Sequence, residues 1–211
     1  FELGAIDYVT KPFNPTELMK RVDSHLELKF AREKMAALAG QLSKYLSPYV
    51  YRSIFEGQTE AKISSYRKHL TVFFSDIHGF TTRAEEMEPQ ALTTWLNGYL
   101  NEMSKILLAH GGTLDKFEGD GVMAFFGDPT SEGESEDATR CLKMAIEMQE
   151  KAAKMGIDVR MGIDSGLCTV GNFGSDEQMD YTIIGQIVNT ASRLESSCDP
   201  GRILVTQAVK D

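Results

Sequence analysis

Cysteine is scarce in this chain: three of 211 residues, with no Cys-x-x-Cys pair among them. Cys141, Cys168 and Cys198 therefore make neither a zinc-ligand pattern nor a disulfide framework, and the composition suits a reducing cytoplasm. Positive charge is also short. The 22 Lys and Arg stand against 31 Asp and Glu, a formal net charge of −9. Such a balance argues against duplex nucleic acid as a partner, because phosphate-backbone binding needs a basic surface. It leaves open a nucleotide, which needs only a few placed cations and a metal ion. No apolar run is long enough to span a bilayer and no signal peptide is present, so no membrane span is expected. Nor is there an initiating methionine. The chain starts at Phe1 inside an apolar-rich segment and reads as a fragment of something longer.

What is present suits a globular protein, with 42% hydrophobic and 25% charged residues. A chain of this length supports one sizeable core and a smaller appendage. Residues 5–10 read as a short strand, Lys11-Pro12-Phe13-Asn14-Pro15 as a bend, and a helix is expected from about Thr16. Leu28, Ala31, Met35, Leu38, Leu42 and Tyr45 alternate by threes and fours. That seam suits either a helix paired with its copy in a dimer or an amphipathic helix packed on its own domain. Ser47-Pro48 should break it, and residues 57–65 read as a polar connector. From Tyr66 the pattern is that of a compact α/β domain. Strands are expected at 70–75, 113–117, 122–126, 159–163, 168–171 and 203–206. Helices are expected at 89–109, 138–153 and 188–195, with an acidic loop over 128–136. This order predicts an α+β fold with a ferredoxin-like βαββαβ core and a mostly antiparallel sheet, preceded by a helical linker. Trp95 and the Met and Leu residues on the helix faces read as packing.

Two stretches carry chemistry. Residues 73–81 end an apolar strand in Asp76, which cannot sit unpaired in a core and so should face a cation or water. Alternatively it caps the following helix, as Thr81 or Thr82 could. Gly79 permits the turn there, and the backbone N–H groups at that helix start could face a phosphate. The stretch Leu114-Asp115-Lys116-Phe117-Glu118-Gly119-Asp120-Gly121 reads as a hairpin tip, with Asp120-Gly121 as its turn. Two carboxylates at the ends of neighbouring strands, Asp76 and Asp120, suit a pair of hard divalent ions. His25, His69 and His110 read as structural, and His78 as a surface or supporting residue.

Three ordered motifs give the segment from about Tyr66 onward a resemblance to class III nucleotidyl cyclases. They are Phe74-Ser75-Asp76-Ile77-x-Gly79-Phe80-Thr81, Asp115-Lys116-Phe117-x-Gly119-Asp120, and Asp180-Tyr181-Thr182-x-x-Gly185-x-x-Val188-Asn189-x-Ala191-Ser192-Arg193. The resemblance implies metal ligation by Asp76, Asp120 and the Ile77 carbonyl, with two Mg²⁺ or Mn²⁺ ions per site. It implies purine reading by Lys116 and Thr182, ribose orientation by Asn189, transition-state stabilisation by Arg193, and phosphate contacts from Arg160, Phe80 and Thr81. Lys116 with Thr182 favours ATP, converted to cyclic AMP and pyrophosphate in a homodimer whose sites are shared between subunits. A guanylyl cyclase and a non-catalytic dimeric nucleotide-sensing module are the alternatives. The family also continues past the point where this chain stops, so the domain over 66–211 is expected to be C-terminally incomplete. Residues 1–30, with Lys11-Pro12-Phe13, resemble the end of a two-component receiver domain, which implies an upstream histidine kinase. Residues 31–65 would be the helical linker.

Overall fold

The computed structural model describes residues 7–43, 51, 65–175, 177 and 179–210. The chain divides into two units, Phe1–Leu46 and Ser47–Asp211. Tyr45, Ser47-Pro48 and nearly all of the expected polar connector lie outside the described residues.

In the first unit, Asn14 caps helix α1 (Pro15–Leu42) by accepting a hydrogen bond from the Thr16 N–H at 2.8 Å. Pro15 occupies the first turn, where its missing N–H costs nothing. The helix runs unbroken through residue 30, the expected domain boundary, and buries none of its residues. Leu28, Met35, Leu38 and Leu42 of the heptad seam are exposed. Residues 7–10, expected to continue a strand, have no regular structure. The Asp7 carboxylate is instead taken by Arg21 at 3.0 Å, which holds that segment beside the helix.

The second unit is built on a six-stranded sheet. Strand β1 (Ser65–Ile77) is followed by α2 (Phe80–Glu86), α3 (Pro89–Ala109), β2 (Thr113–Glu118), β3 (Gly121–Phe126) and α4 (Glu134–Lys154). Then come β4 (Val159–Gly174), β5 (Met179–Ile184), α5 (Gln186–Ser197), β6 (Arg202–Val205) and α6 (Gln207–Lys210). The sheet order is β2-β3-β1-β4-β5, with β6 also paired to β4. Every pairing is antiparallel except β4 with β6. The order β1-α3-β2-β3-α4-β4 is the expected ferredoxin-like one. One face carries the core that α3 and α4 cover, including Phe73, Tyr99, Met103, Phe126 and Met148. A second core, including Val72, Phe125, Val170 and Tyr181, lies on the other face, where α5 contributes Ala191.

Helix α3 starts and stops where the sequence predicts, between Pro89 and the Gly111-Gly112 pair. Gly111 takes φ +75, and a Cβ on Gly112 would lie 2.2 Å from a Leu107 methyl. Helix α4 begins earlier than expected, shortening the acidic loop. The Asp137 carboxylate accepts hydrogen bonds from Ser131 and from the Glu132 N–H, tying the loop to the first turn. Glu134, Glu136 and Asp137 there also favour the helix dipole. Strand β4 is one continuous ladder where two short strands are expected. Its polar interruption is satisfied within the sheet: Thr71 and Ser165 hydroxyls meet at 2.9 Å, and Asp164 accepts from Thr206 at 2.6 Å. The hairpin turn is centred one residue earlier than expected. Glu118 pairs with Gly121, so Gly119 and Asp120 form the loop, and Gly119 supplies the positive φ of +65.

Gly162 sets how closely α5 packs on the sheet. A Cβ there would sit 2.2 Å from the Ala191 carbonyl oxygen and 2.3 Å from the Glu195 nitrogen. Both are backbone atoms of one helix, so no rotamer change relieves the clash. Gly162→Ala should destabilise the domain by about 3 kcal/mol. Urea unfolding should show a lower midpoint with an unchanged slope.

Candidate active site

Asp76 stands one residue before the end of β1, and Asp120 stands at the tip of the β2–β3 hairpin. Pairing of β1 with β3 brings the two together. Asp120 is buried and accepts the Ile77 N–H at 2.9 Å. Burial, followed by the neighbouring Asp76 carboxyl, pushes Asp120 up to about 7. Two carboxyl groups this close cannot both ionise cheaply without a cation. Arg160 supplies part of that charge. It is the register partner of Asp76 on β4, and its guanidinium donates a hydrogen bond to the Asp76 carboxylate. The same guanidinium lies 3.4 Å from Glu195 on α5, whose carboxyl burial pushes upward, with Asp76 adding to the effect. The Asp76 contact in turn raises the pKa of Arg160, so it stays charged.

The donors fit a hard divalent ion. Asp76, Asp120 and the Ile77 carbonyl offer only oxygen donors, the set that hard divalent ions take. No group of three or more His, Cys, Asp or Glu side chains forms a ready-made cage among the described residues. A Mg²⁺-type ion here would complete its shell from water and substrate phosphates, as such ions commonly do.

A second cluster joins β2 to β5. The Thr182 hydroxyl donates to Asp115 at 2.6 Å, and the Lys116 ammonium lies 3.5 Å from the other Asp115 oxygen. Lys116 and Thr182 are thus neighbours across two strands that stand at opposite ends of the sheet order. The sheet curls enough to bring them together, and Tyr181 on β5 likewise donates to Asp128 just beyond β3.

Asn189 and Arg193 share a face of α5, four residues apart. Both are exposed, and neither side chain has a hydrogen bond or ion pair to the two clusters. Thr81 is exposed. The expectation that Thr81 or Thr82 caps α2 is corrected. The N-cap is Gly79 at φ +71, with no side-chain cap, because a left-handed turn leaves β1 directly. The Phe80 ring stacks on Trp95 at 6.4 Å, so only its backbone amide is left to meet a phosphate. Arg83 covers the Trp95 ring at 4.9 Å, in keeping with a packing role for that residue. His78 is exposed, and His25, His69 and His110 each face a carboxylate. Asp115 and Glu195 are site residues without a role in the sequence reading. Glu195 lies two positions after Arg193, so only the helix geometry turns it toward Arg160.

The mostly antiparallel sheet with its helices is the α+β fold of a nucleotidyl cyclase domain. The chain belongs to the adenylate and guanylate cyclase catalytic domain family, whose family model matches residues 63–211. It is 52% identical to the adenylyl cyclase CyaB from P. aeruginosa, with a TM-score of 0.68 over 70% of this chain and 81% of that one. It is 32% identical to the guanylyl cyclase Cya2, with a TM-score of 0.64 over 70% of this chain and 79% of that one. Adenylate cyclase 1 of Rhizobium meliloti (strain 1021) is 34% identical over 141 residues, covering 63% of this chain and 21% of that protein. The chain spans between 10% and 30% of the length of three curated relatives that it matches.

Proposed function

We propose that this domain is an adenylyl cyclase that converts ATP to 3′,5′-cyclic AMP and pyrophosphate. The observation that carries the reading is the side-by-side placement of Lys116 and Thr182, set apart from the Asp76/Asp120 pair. Lysine only donates, which suits adenine N1; guanine presents an N–H there. The similarity to an adenylyl cyclase at 52% identity supports the same choice.

In the reaction the ribose 3′-oxygen attacks the α-phosphorus, the bond to the β-phosphate oxygen breaks, and pyrophosphate leaves. The 3′-hydroxyl proton passes to solvent. Two bound Mg²⁺ or Mn²⁺ ions would lower the pKa of that hydroxyl and neutralise the phosphates. Asp76, Asp120 and the Ile77 carbonyl would hold them. Asn189 positions the ribose, and Arg193 meets the charge that develops at the α-phosphate. Arg160, beside Asp76, and the backbone amides of Phe80 and Thr81 would meet the phosphates.

Asn189 and Arg193 are exposed and have no hydrogen bond or ion pair to either cluster. That supports a homodimer in which each site takes its carboxylates from one subunit and its Lys116, Thr182, Asn189 and Arg193 from the other. The Lys11-Pro12-Phe13 motif ahead of α1 supports regulation by an upstream receiver domain, itself served by a histidine kinase, in the cytoplasm. No helix among the described residues is long and apolar enough to cross a membrane. Full-length protein supplied with ATP or GTP, in Mg²⁺ or Mn²⁺, should make cyclic AMP at least about tenfold faster than cyclic GMP. Equal or greater turnover of GTP would overturn the base assignment, and no product from either would overturn the reading.

A further inference from the structure

We propose that Asp115 is a specificity-determining positioning residue, which selects adenine by fixing the direction of the Thr182 hydroxyl. The inference rests on the adenylyl cyclase reading. A threonine hydroxyl is ambivalent, with one donor and two acceptor lone pairs. Alone it could accept from the 6-amino group of adenine or donate to the 6-oxygen of guanine, so it discriminates poorly. In this chain its proton is committed to Asp115 at 2.6 Å. Only lone pairs remain for the base, and these attract an amino group and repel a carbonyl oxygen.

The backbone is shaped to put Asp115 there. Leu114 pairs with Ala124 and Lys116 with Met123, adjacent residues of β3, so Asp115 is the extra residue of a β-bulge. Bulges re-aim a side chain that regular alternation would send elsewhere. The Asp115 side chain is 1% exposed, whereas that of Lys116 beside it is 41% exposed. Burial raises the Asp115 pKa, but the Thr182 hydroxyl, the Lys116 ammonium and the Ile183 N–H all favour its ionised, accepting form. The Lys116 contact at 3.5 Å holds the ammonium next to the hydroxyl. One carboxylate thus orients both base-reading groups: a donor toward N1 and an acceptor toward the 6-position.

The test is the ratio of kcat/KM for ATP to that for GTP in full-length protein, with circular dichroism and melting curves to establish folding. The affinities for non-cyclisable ATP and GTP analogues are measured by calorimetry in parallel. Asp115→Ala should lower the ATP preference about tenfold or more, mainly through KM for ATP, since the lost contacts serve binding of the base. Asp115→Asn, which keeps the shape but has one acceptor oxygen for three donors, should lower it about threefold. In a Thr182→Val background the effect of either change on the ratio should shrink to the part that acts through Lys116, because no hydroxyl is left to orient. A merely structural Asp115 would lower kcat or stability with the ratio intact. An unchanged ratio in whichever Asp115 variant folds overturns the proposal, as does a loss that is undiminished in the Thr182→Val background. Should wild type form no cyclic nucleotide, the cyclase reading fails, and the analogue affinities still decide whether Asp115 sets base preference.

Discussion

Asp120→Asn should cut cyclic-nucleotide turnover by about a thousandfold while making the metal-free protein more stable above neutral pH. The two effects share one cause. Asp120 is buried against Asp76, and its pKa is pushed up to about 7. In the unfolded chain the same carboxyl titrates near 3.8. Between those values the folded state holds a proton that the unfolded state has released. Stability therefore falls as pH rises from about 4 to about 7, and above 7 the fold carries the full cost of a buried Asp120 charge beside Asp76. With solvent screening and relaxation of the pair, that loss is on the order of 1–2 kcal/mol. An amide keeps the acceptor for the Ile77 N–H and removes the charge, so the variant should lose this slope. A divalent ion should recover the same energy in wild type by binding the ionised pair, and the variant should gain much less. Loss of one anionic ligand weakens neutralisation of the phosphates by about 4 kcal/mol, hence the thousandfold. Melting curves at pH 5 and pH 8, in EDTA and in Mn²⁺, check the stability half, and product formation checks the other. A variant with the wild-type pH slope would show that the pair is not what strains the site.

The same pair shows what kind of information the linear sequence holds. Asp76 is legible because it ends the apolar run Leu70 to Phe74, and Asp120 because a glycine flanks it on each side. Helix α3 is legible from its apolar spacing and its Pro and Gly stops. Each of these is a local pattern. The failures are equally specific. Asp164, Ser165 and Gly166 look like a break in β4, yet Ser165 meets Thr71 and Asp164 accepts from Thr206, residues far away in the chain. The bulge at Asp115 exists only as a register between β2 and β3, and register is set by tertiary packing. Plain alternation puts Asp115 on the face opposite Lys116, so its bond to Thr182 has no trace in residue order. Glu195 likewise meets Arg160 only because Gly162 lets α5 lie directly on β4. The motif residues of the candidate site are thus legible locally, while the groups they contact emerge from pairings between distant strands.

Mixing Asp76→Asn protein with Arg193→Ala protein should restore activity that neither variant has alone. Asp76 lies in the carboxylate cluster with Asp120 and Arg160. Arg193 is exposed on α5 with no side-chain hydrogen bond or ion pair among the described residues. If each site draws its carboxylates from one subunit and Arg193 from the other, a mixed dimer carries one doubly damaged site and one intact site. Random reassortment of equal amounts makes about half the dimers mixed, and the mixture should recover about a quarter of wild-type turnover. Each variant alone should retain about a thousandth or less, since each lacks a group that meets the reacting phosphates. Mass spectrometry or tagged co-purification establishes that mixed dimers form under the assay conditions. Mixed dimers with no recovered turnover would show that each chain completes its own site, and Arg193 would then have to reach Asp76 within one subunit. A recovery near a quarter fixes the geometry further. Lys116 and Asp120, four residues apart on one hairpin, would then serve two different active sites, and the turn at Gly119-Asp120 would be the point where the two sites of the dimer are mechanically joined.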